Sequence, residues 1–377
     1  MTKLKKIIPV NRPLFSKLEK KYLNECIDSS WISSSGGFII KFEESFKKIV
    51  SRKYSVAVSS GTAALDIAIK TLNLNKGDEI IVPNFTIISC LNEIIREGIK
   101  PIFIDADPNT FNIDAEQIEK KITKKTKAIL IAHIYGLPAN LEKIIKLKNK
   151  YKLKLIEDCA EQLGQTYKKK PIGSFGDIST FSFFANKHIT TGEGGMVVTN
   201  NKSYFKKFLE LRNICFSLKK PRFIHDDIGW NYRLTNMQAA IGYAQLKKLS
   251  FFIKKKRQIG YYYSKELKKI RHLQLPVLSN KFSKNIFWVY SLIIKNKNFK
   301  AIKLTEKLKK KGIETRPFFY PMHMQPIIKK LRLINKSEKF PVSEQIYQYG
   351  LYLPSGIGNT FKEIKEVVRQ LKIIFKN

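Results

Sequence analysis

The stretch Phe181–Val198, "FSFFANKHITTGEGGMVV", decides how the rest of the chain is read. Its opening aromatic run and its closing "GMVV" have the residue types of buried strands. The glycine cluster between them, with Gly192 and Gly194, cannot belong to a regular element and marks a tight, close-packed turn. One lysine, Lys187, stands alone in that turn.

Upstream, from Tyr54 to about Thr199, short β-rich runs alternate with segments of helical period. They are "YSVAVSS" and "TAALDIAIKTL", "EIIVP" and "IISCLNEIIREG", "KPIFID" and "DAEQIEKKI", "KAILIAH" and "LEKIIKLKNKY", then "KLKLIED". This alternation predicts βαβ units, and so an α/β fold with a mostly parallel central sheet and helices on both faces. After Met237 a long helical pattern leads to a strand-like "FWVYSLII" and further helices. The reading places a large domain over 1–249 and a smaller C-terminal α/β domain over 250–377.

In an open α/β sheet, functional groups gather beyond the carboxyl ends of the strands. Those ends here carry Ser60-Gly61-Thr62, then Asn84-Phe85-Thr86, His133, Asp158 with Glu161 close behind, Ser182, and finally Lys187. Singly, each has an ordinary explanation. Ser-Gly-Thr before a helix is an N-cap, Phe85 a core aromatic, Asp158 a cap or surface partner, and Lys187 a snorkelling surface lysine.

The composition narrows the classes. Hydrophobic residues make up 43% of the 377, which suits a packed core of one or two domains. The 70 Lys and Arg against 31 Asp and Glu give a net charge of +39, spread over helical faces such as "IIKLKNKYKLKL". No zinc-finger spacing, RNP-like segment or basic zipper accompanies it, so no specific nucleic-acid partner is expected. Cys26, Cys90, Cys159 and Cys215 are scattered without a CxxC, which predicts neither a disulfide framework nor a metal site. The N-terminal apolar run, Ile7–Val10, is too short for a signal-peptide core, and no stretch of roughly 18 apolar residues occurs. The expectation is a cytoplasmic protein without membrane insertion.

Taken together, the strand-end residues meet one chemical requirement. A pyridoxal 5'-phosphate enzyme needs a lysine amine for a Schiff base, a carboxylate to keep the pyridine nitrogen protonated, a flat side chain over the ring and an anion site for the phosphate. Lys187, behind the apolar "FSFFA", is placed to be partly desolvated and to lose its proton.

The motifs "AVSSGTAAL", "IEDCAEQLG", "FSFFANKHITTGEGG" and "GWNYRLTNMQAAIGYAQL", in this order and spacing, resemble the DegT/DnrJ/EryC1/StrS sugar aminotransferases. The resemblance runs from "WISSSGGFIIKFEESF" to "GIETRPFFYPMH" and "LYLPSG". It implies the fold type I, aspartate aminotransferase-like architecture of pyridoxal phosphate transferases. It also implies that Lys187 carries the cofactor and shuttles a proton, that Asp158 pairs with the ring nitrogen, and that Glu161 meets the ring hydroxyl. Phe85 is expected over the ring; Ser60, Gly61, Thr62 and Ser182 at the phosphate; and Asn231 reaching the phosphate from a neighbouring subunit. A homodimer with shared active sites follows from that last residue. Trp31, Ser33, His225, Arg316 and His323 are the resemblance's candidates for the substrate pocket, Arg316 having the planar fork that suits a diphosphate.

The implied reaction moves an amino group from L-glutamate to the 4-keto carbon of a nucleotide-linked 4-keto-6-deoxyhexose. GDP-4-keto-6-deoxymannose is the first expectation, with UDP- or dTDP-linked sugars as alternatives. Relatives that dehydrate carry histidine at the lysine position; here His188 follows the lysine and does not replace it. A noncatalytic polyanion-binding protein on the same fold is the rival from another class, motivated by the charge.

Overall fold

The computed structural model describes residues 7–217, 220–221, 223–335 and 337–376; the basic run 1–6 lies outside them. The predicted β-rich runs form β1 (Tyr54–Val58), β2 (Glu79–Pro83), β3 (Lys100–Ile104), β4 (Thr126–Ala132) and β5 (Lys154–Asp158). A small hairpin, β6 (Thr166–Tyr167) and β7 (Lys170–Pro171), precedes β8 (Ile178–Ser182) and β9 (Gly195–Thr199), the two strands on either side of the glycine turn.

Seven of these make one sheet in the order β1-β9-β8-β5-β4-β2-β3. The β8, β5, β4, β2 and β3 neighbours pair parallel, while β9 lies antiparallel to both β8 and β1. The glycine turn lets the chain return directly beside β8, which makes β9 the exception to the parallel rule. The mostly parallel α/β sheet is therefore as expected.

Both faces of the sheet are covered, and the period-2 alternation of strand side chains shows it. Val56, Val58, Ile80, Val82, Ala128 and Leu130 join one apolar cluster, whereas Ala57, Ile81, Ile129 and Ile131 join another on the opposite face. "DAEQIEKKI" forms less helix than its period suggests: a short helix, Ala115–Ile118, runs into a 3-10 turn, Glu119–Lys121.

The C-terminal part builds a second, antiparallel sheet from β10 (Leu273–Gln274), β11 (Tyr290–Ile294), β12 (Arg316–Pro317) and β13 (Gly350–Leu353), in the order β10-β11-β13-β12. Its core includes Tyr263, Tyr290, Leu292, Leu304 and Val367. The helix Leu249–Leu267 serves both bodies, with Leu249 and Phe252 in the large core and Ile259, Tyr263 and Leu267 in the small one. Ile8 also packs in the small core, its N–H donating to Gly312 O at 2.8 Å and its carbonyl accepting from Glu314 N at 3.0 Å. Among the described residues, no helix is long and apolar enough to cross a membrane.

Candidate active site

The carboxyl ends of β4, β5 and β8 open on a cavity of about 350 Å3. Ser60, Gly61, Thr62, Asp158, Glu161, Ser182 and Lys187 all line it, so the topology gathers in one place residues spread over more than a hundred positions. Trp288, Phe319 and Tyr352 from the C-terminal part close the other side.

One wall is the start of the helix Gly61–Thr71. Ser60 is extended, and its Oγ accepts the Ala63 N–H at 3.0 Å, which caps the helix. The N–H groups of Gly61 and Thr62, in the first turn, have no intrahelical partners and sit at the positive end of the helix dipole, where an anion is favoured. Glycine is required beside them for space. A Cβ on Gly61 would stand 2.7 Å from Ser182 Cβ, and one on Gly195 only 2.3 Å from the Ser60 carbonyl oxygen. The backbone of β9 thus packs directly against the cap.

The opposite wall carries the acids. Asp158 ends β5; its Oδ1 accepts the Ala160 N–H at 3.0 Å and its Oδ2 faces Cys90 Sγ at 3.4 Å. Burial raises its pKa, while the Ala160 N–H and the Lys187 charge hold it back. Glu161 Oε2 accepts the Tyr135 N–H at 2.7 Å, and desolvation pushes this acid up to about 8 against the pull of Lys187. Lys187 itself is lowered by burial, opposed by Glu161 and Asp158. The Lys187 Nζ rests 3.9 Å from the centroid of the Trp288 ring. A lysine whose charge is disfavoured by its surroundings, flanked by a carboxyl that titrates near neutrality, can exchange protons and act as a nucleophile at ordinary pH.

The neighbouring residue on β5, Glu157, points to the other face and has a structural task. Its oxygens accept N–H groups from Phe175 at 2.9 Å and Gly176 at 2.5 Å and the Ser179 hydroxyl at 3.0 Å, with Arg52 at 3.7 Å and His133 at 3.3 Å. Desolvation opposes its charge, but His133, Arg52 and these donors together hold it down at about 2. Glu157, His133 and Cys159 lie close enough together to suggest a metal site. Their ligand atoms are engaged instead, since His133 Nδ1 accepts the Ala139 N–H at 3.1 Å and burial keeps the Cys159 thiol protonated.

Several expected residues stand elsewhere. Phe85 does not reach the cavity: it is 1% exposed and packs on Tyr135, Phe318 and Phe319. Thr86 and Ile87, the next two residues, do line the cavity, where the chain bends after β2. His323 is held outside by Asn84 at 3.0 Å and Glu344 at 3.1 Å. Trp31 and Ser33 are exposed, and their carbonyls accept from Asn236. His225 is exposed too, with Nδ1 at 2.7 Å from Ile214 O. Asn231 is exposed and bridges Asn213, away from the cavity of its own chain. Arg316 is exposed on β12, paired in register with Tyr352, which does line the cavity. Trp288, Phe319, Tyr352 and Ile87 carried no local signal beyond apolarity.

The residues present fit pyridoxal 5'-phosphate on the evidence of their own unsatisfied chemistry. The helix start offers free N–H donors to a phosphate, Asp158 a buried acid to a ring nitrogen and Lys187 an amine to an aldehyde. Asn186 Oδ1, on the cavity wall, is buried without a hydrogen-bond partner. Such an orphan is costly unless a ligand or water satisfies it.

The model of the DegT/DnrJ/EryC1/StrS aminotransferase family matches residues 14–372. The chain is 44% identical over 353 residues to a GDP-perosamine synthase of Escherichia coli O157:H7, covering 93% of each chain. It is 40% identical over 374 residues to a GDP-perosamine synthase of Vibrio cholerae, covering 98% of this chain and 99% of that one. Among solved structures it is similar to the E. coli GDP-4-keto-6-deoxy-D-mannose-3-dehydratase with bound hydrated PLP, with a TM-score of 0.89 and 30% identity over 97% of this chain and 100% of that one.

Proposed function

The chain belongs to the DegT/DnrJ/EryC1/StrS aminotransferase family, a pyridoxal 5'-phosphate-dependent sugar aminotransferase, and from that premise we propose that it carries an amino group from L-glutamate to C4 of GDP-4-keto-6-deoxymannose, giving GDP-perosamine. The two GDP-perosamine synthases similar over nearly the whole chain support the sugar and the nucleotide. The single observation that carries the chemistry is Lys187, held between two buried carboxyls at the rim of a helix N-terminus.

When bound, the cofactor supplies an aldehyde for the amino group and a ring that withdraws electrons from the reacting carbon. Lys187 would hold it covalently, and its free amine would take and return a proton at Nζ. Asp158 would pair with the ring nitrogen and keep a proton there. Glu161, titrating near neutrality, sits beside the lysine as a reservoir for that proton. Gly61 and Thr62 N–H, with Ser60, Thr62 and Ser182 hydroxyls, would hold the phosphate. Arg316, exposed on β12 and paired in register with the cavity-lining Tyr352, would take the sugar nucleotide's diphosphate.

In this reading the enzyme is a cytoplasmic homodimer with shared sites, serving O-antigen or related polysaccharide synthesis. Asn231, exposed on its own protomer, then reaches the phosphate of the partner's site, and Trp31, Ser33 and His225 stay candidates for the substrate pocket. The division into two domains falls near Leu249, where one helix passes from the large core to the small.

The test is direct. Purified protein is expected to be yellow and to lose that colour with L-glutamate. Given GDP-, UDP- and dTDP-linked 4-keto sugars in turn, it is expected to aminate the GDP sugar fastest, read as a one-step mass change. Faster turnover of a UDP or dTDP sugar moves the assignment to that nucleotide. A colourless protein with salt-sensitive polyanion binding removes it.

A further inference from the structure

Trp288 enters the cavity from β11's approach, more than a hundred residues after the lysine, and touches the lysine loop twice. Its ring centroid is 3.9 Å from Lys187 Nζ, and its Nε1–H donates to Asn186 O at 3.0 Å. The indole is 4% exposed and rests between Tyr135, at 6.1 Å with near-parallel planes, and Tyr352 at 6.3 Å. It is therefore a fixed surface, and the half-buried lysine amine lies on the electron-rich face of a ring that is itself out of water. An ammonium gains more from a π face as it is withdrawn from water, and tryptophan offers the strongest one.

We propose that Trp288 is a positioning residue for Lys187: its ring is the seat on which the lysine amine rests when it is not bonded to the cofactor, and its N–H pins the loop that carries that amine. The proposal rests on the reading of Lys187 as the cofactor-bearing lysine.

The charged and titratable groups around the amine are Asp158 and Glu161 at the end of β5, His133 from β4, Glu193 from the glycine turn, Tyr352 from β13 and the adjacent His188. The carboxyls favour the ammonium and burial disfavours it. Trp288 adds a third influence that favours the ammonium and, unlike the carboxyls, gains no proton in exchange. It sets where the amine waits without competing for the proton that the amine must pass on.

The experiment uses the full chain stripped of cofactor. Lys187 is labelled with an amine-directed acylating reagent across pH, and its labelling rate is followed by peptide mass spectrometry. In Trp288→Leu the midpoint of that pH profile is expected to fall by about half a unit to one and a half units, because the neutral amine becomes easier to form. Trp288→Phe, which keeps a weaker π face, is expected to recover part of the shift. The same profile taken after biosynthetic replacement of tryptophan by mono-, di- and tetrafluorotryptophan needs no folding allowance, since the ring shape is kept. Its midpoint is expected to fall stepwise as fluorine empties the π face. Trp31 and Trp230 also carry fluorine there, but neither lines the cavity. A midpoint unmoved by fluorination, or moved upward, overturns the proposal. Borohydride reduction of the holoenzyme separates this from the underlying reading: cofactor mass on a lysine other than Lys187 removes the reading, and cofactor mass on Lys187 with a flat fluorination series removes only the seat.

Discussion

Glu161 shows how much one side chain's surroundings change its chemistry. Beside Asp158 and largely out of water, it reaches about 8 from an ordinary 4.5. The folded chain therefore keeps a proton that the unfolded chain releases, so this acid's contribution to stability is complete below about pH 4.5 and fades as pH rises toward 8. Glu161→Gln removes that slope. In the cofactor-free protein, the melting temperature of the variant relative to wild type is expected to grow from pH 5 to pH 8; a constant difference counts against a protonated Glu161. Lys187→Ala is expected to lower turnover with L-glutamate by about a thousandfold or more, because both the covalent attachment and the proton carrier are lost. Activity within tenfold of wild type would remove its role. That Lys187, Asp158, Glu161 and Ser182 share one cavity follows from their places at or after strand ends, which hydrophobic periodicity marks. Phe85 packs in the core against Tyr135, Phe318 and Phe319, residues distant in the chain, while its neighbours Thr86 and Ile87 line the cavity.

The elements around the site are tied together by two close contacts. A side chain at Gly195 would strike the Ser60 carbonyl at 2.3 Å, and backbone cannot yield as a flexible side chain does. Gly195→Ala is expected to cost about 3 kcal/mol in urea unfolding and to weaken cofactor binding, because β9 must back away from the helix cap. The second tie is Glu157, which fastens β5 to the turn 173–176 and to Arg52. Glu157→Gln is expected to cost about 3–5 kcal/mol at neutral pH, as a buried cation loses its partner. A depressed acid stabilises above its unfolded pKa, so that deficit should shrink as pH falls from about 4.5 to about 2. Equal unfolding midpoints at pH 7 would argue that the network is dispensable. Strand existence was legible from alternation alone; the antiparallel direction of β9 was not, since a glycine turn does not state which way the chain returns. The truncated helix at Ala115–Ile118 was not, since periodicity cannot report where a turn tightens.

Across the folded chain, the net charge of +39 acts against compaction, and like charges on facing helices repel. Salt screens that repulsion over about 10 Å at 0.1 M. The melting temperature is expected to rise between 0.05 and about 0.5 M sodium chloride; a fall would show that ion pairs outweigh the repulsion. The proposed dimer has its own test. When Lys187→Ala and Asn231→Ala chains, each impaired alone, are unfolded and refolded together, shared sites restore up to about a quarter of wild-type activity, because half the dimers are mixed and each holds one intact site. No recovery means that Asn231 serves its own chain. The alternation of strands and helices specified the α/β class, and the lysine, the two acids and the capped helix specified the chemistry, since these depend on residue type and on neighbours close along the chain. The far wall of Trp288, Phe319 and Tyr352, the burial that moves Glu161 and Lys187, and the exclusion of Phe85 and His323 arise from contacts between residues far apart in the chain. Solvent exclusion and three-dimensional packing create those effects, and neither is written in local order.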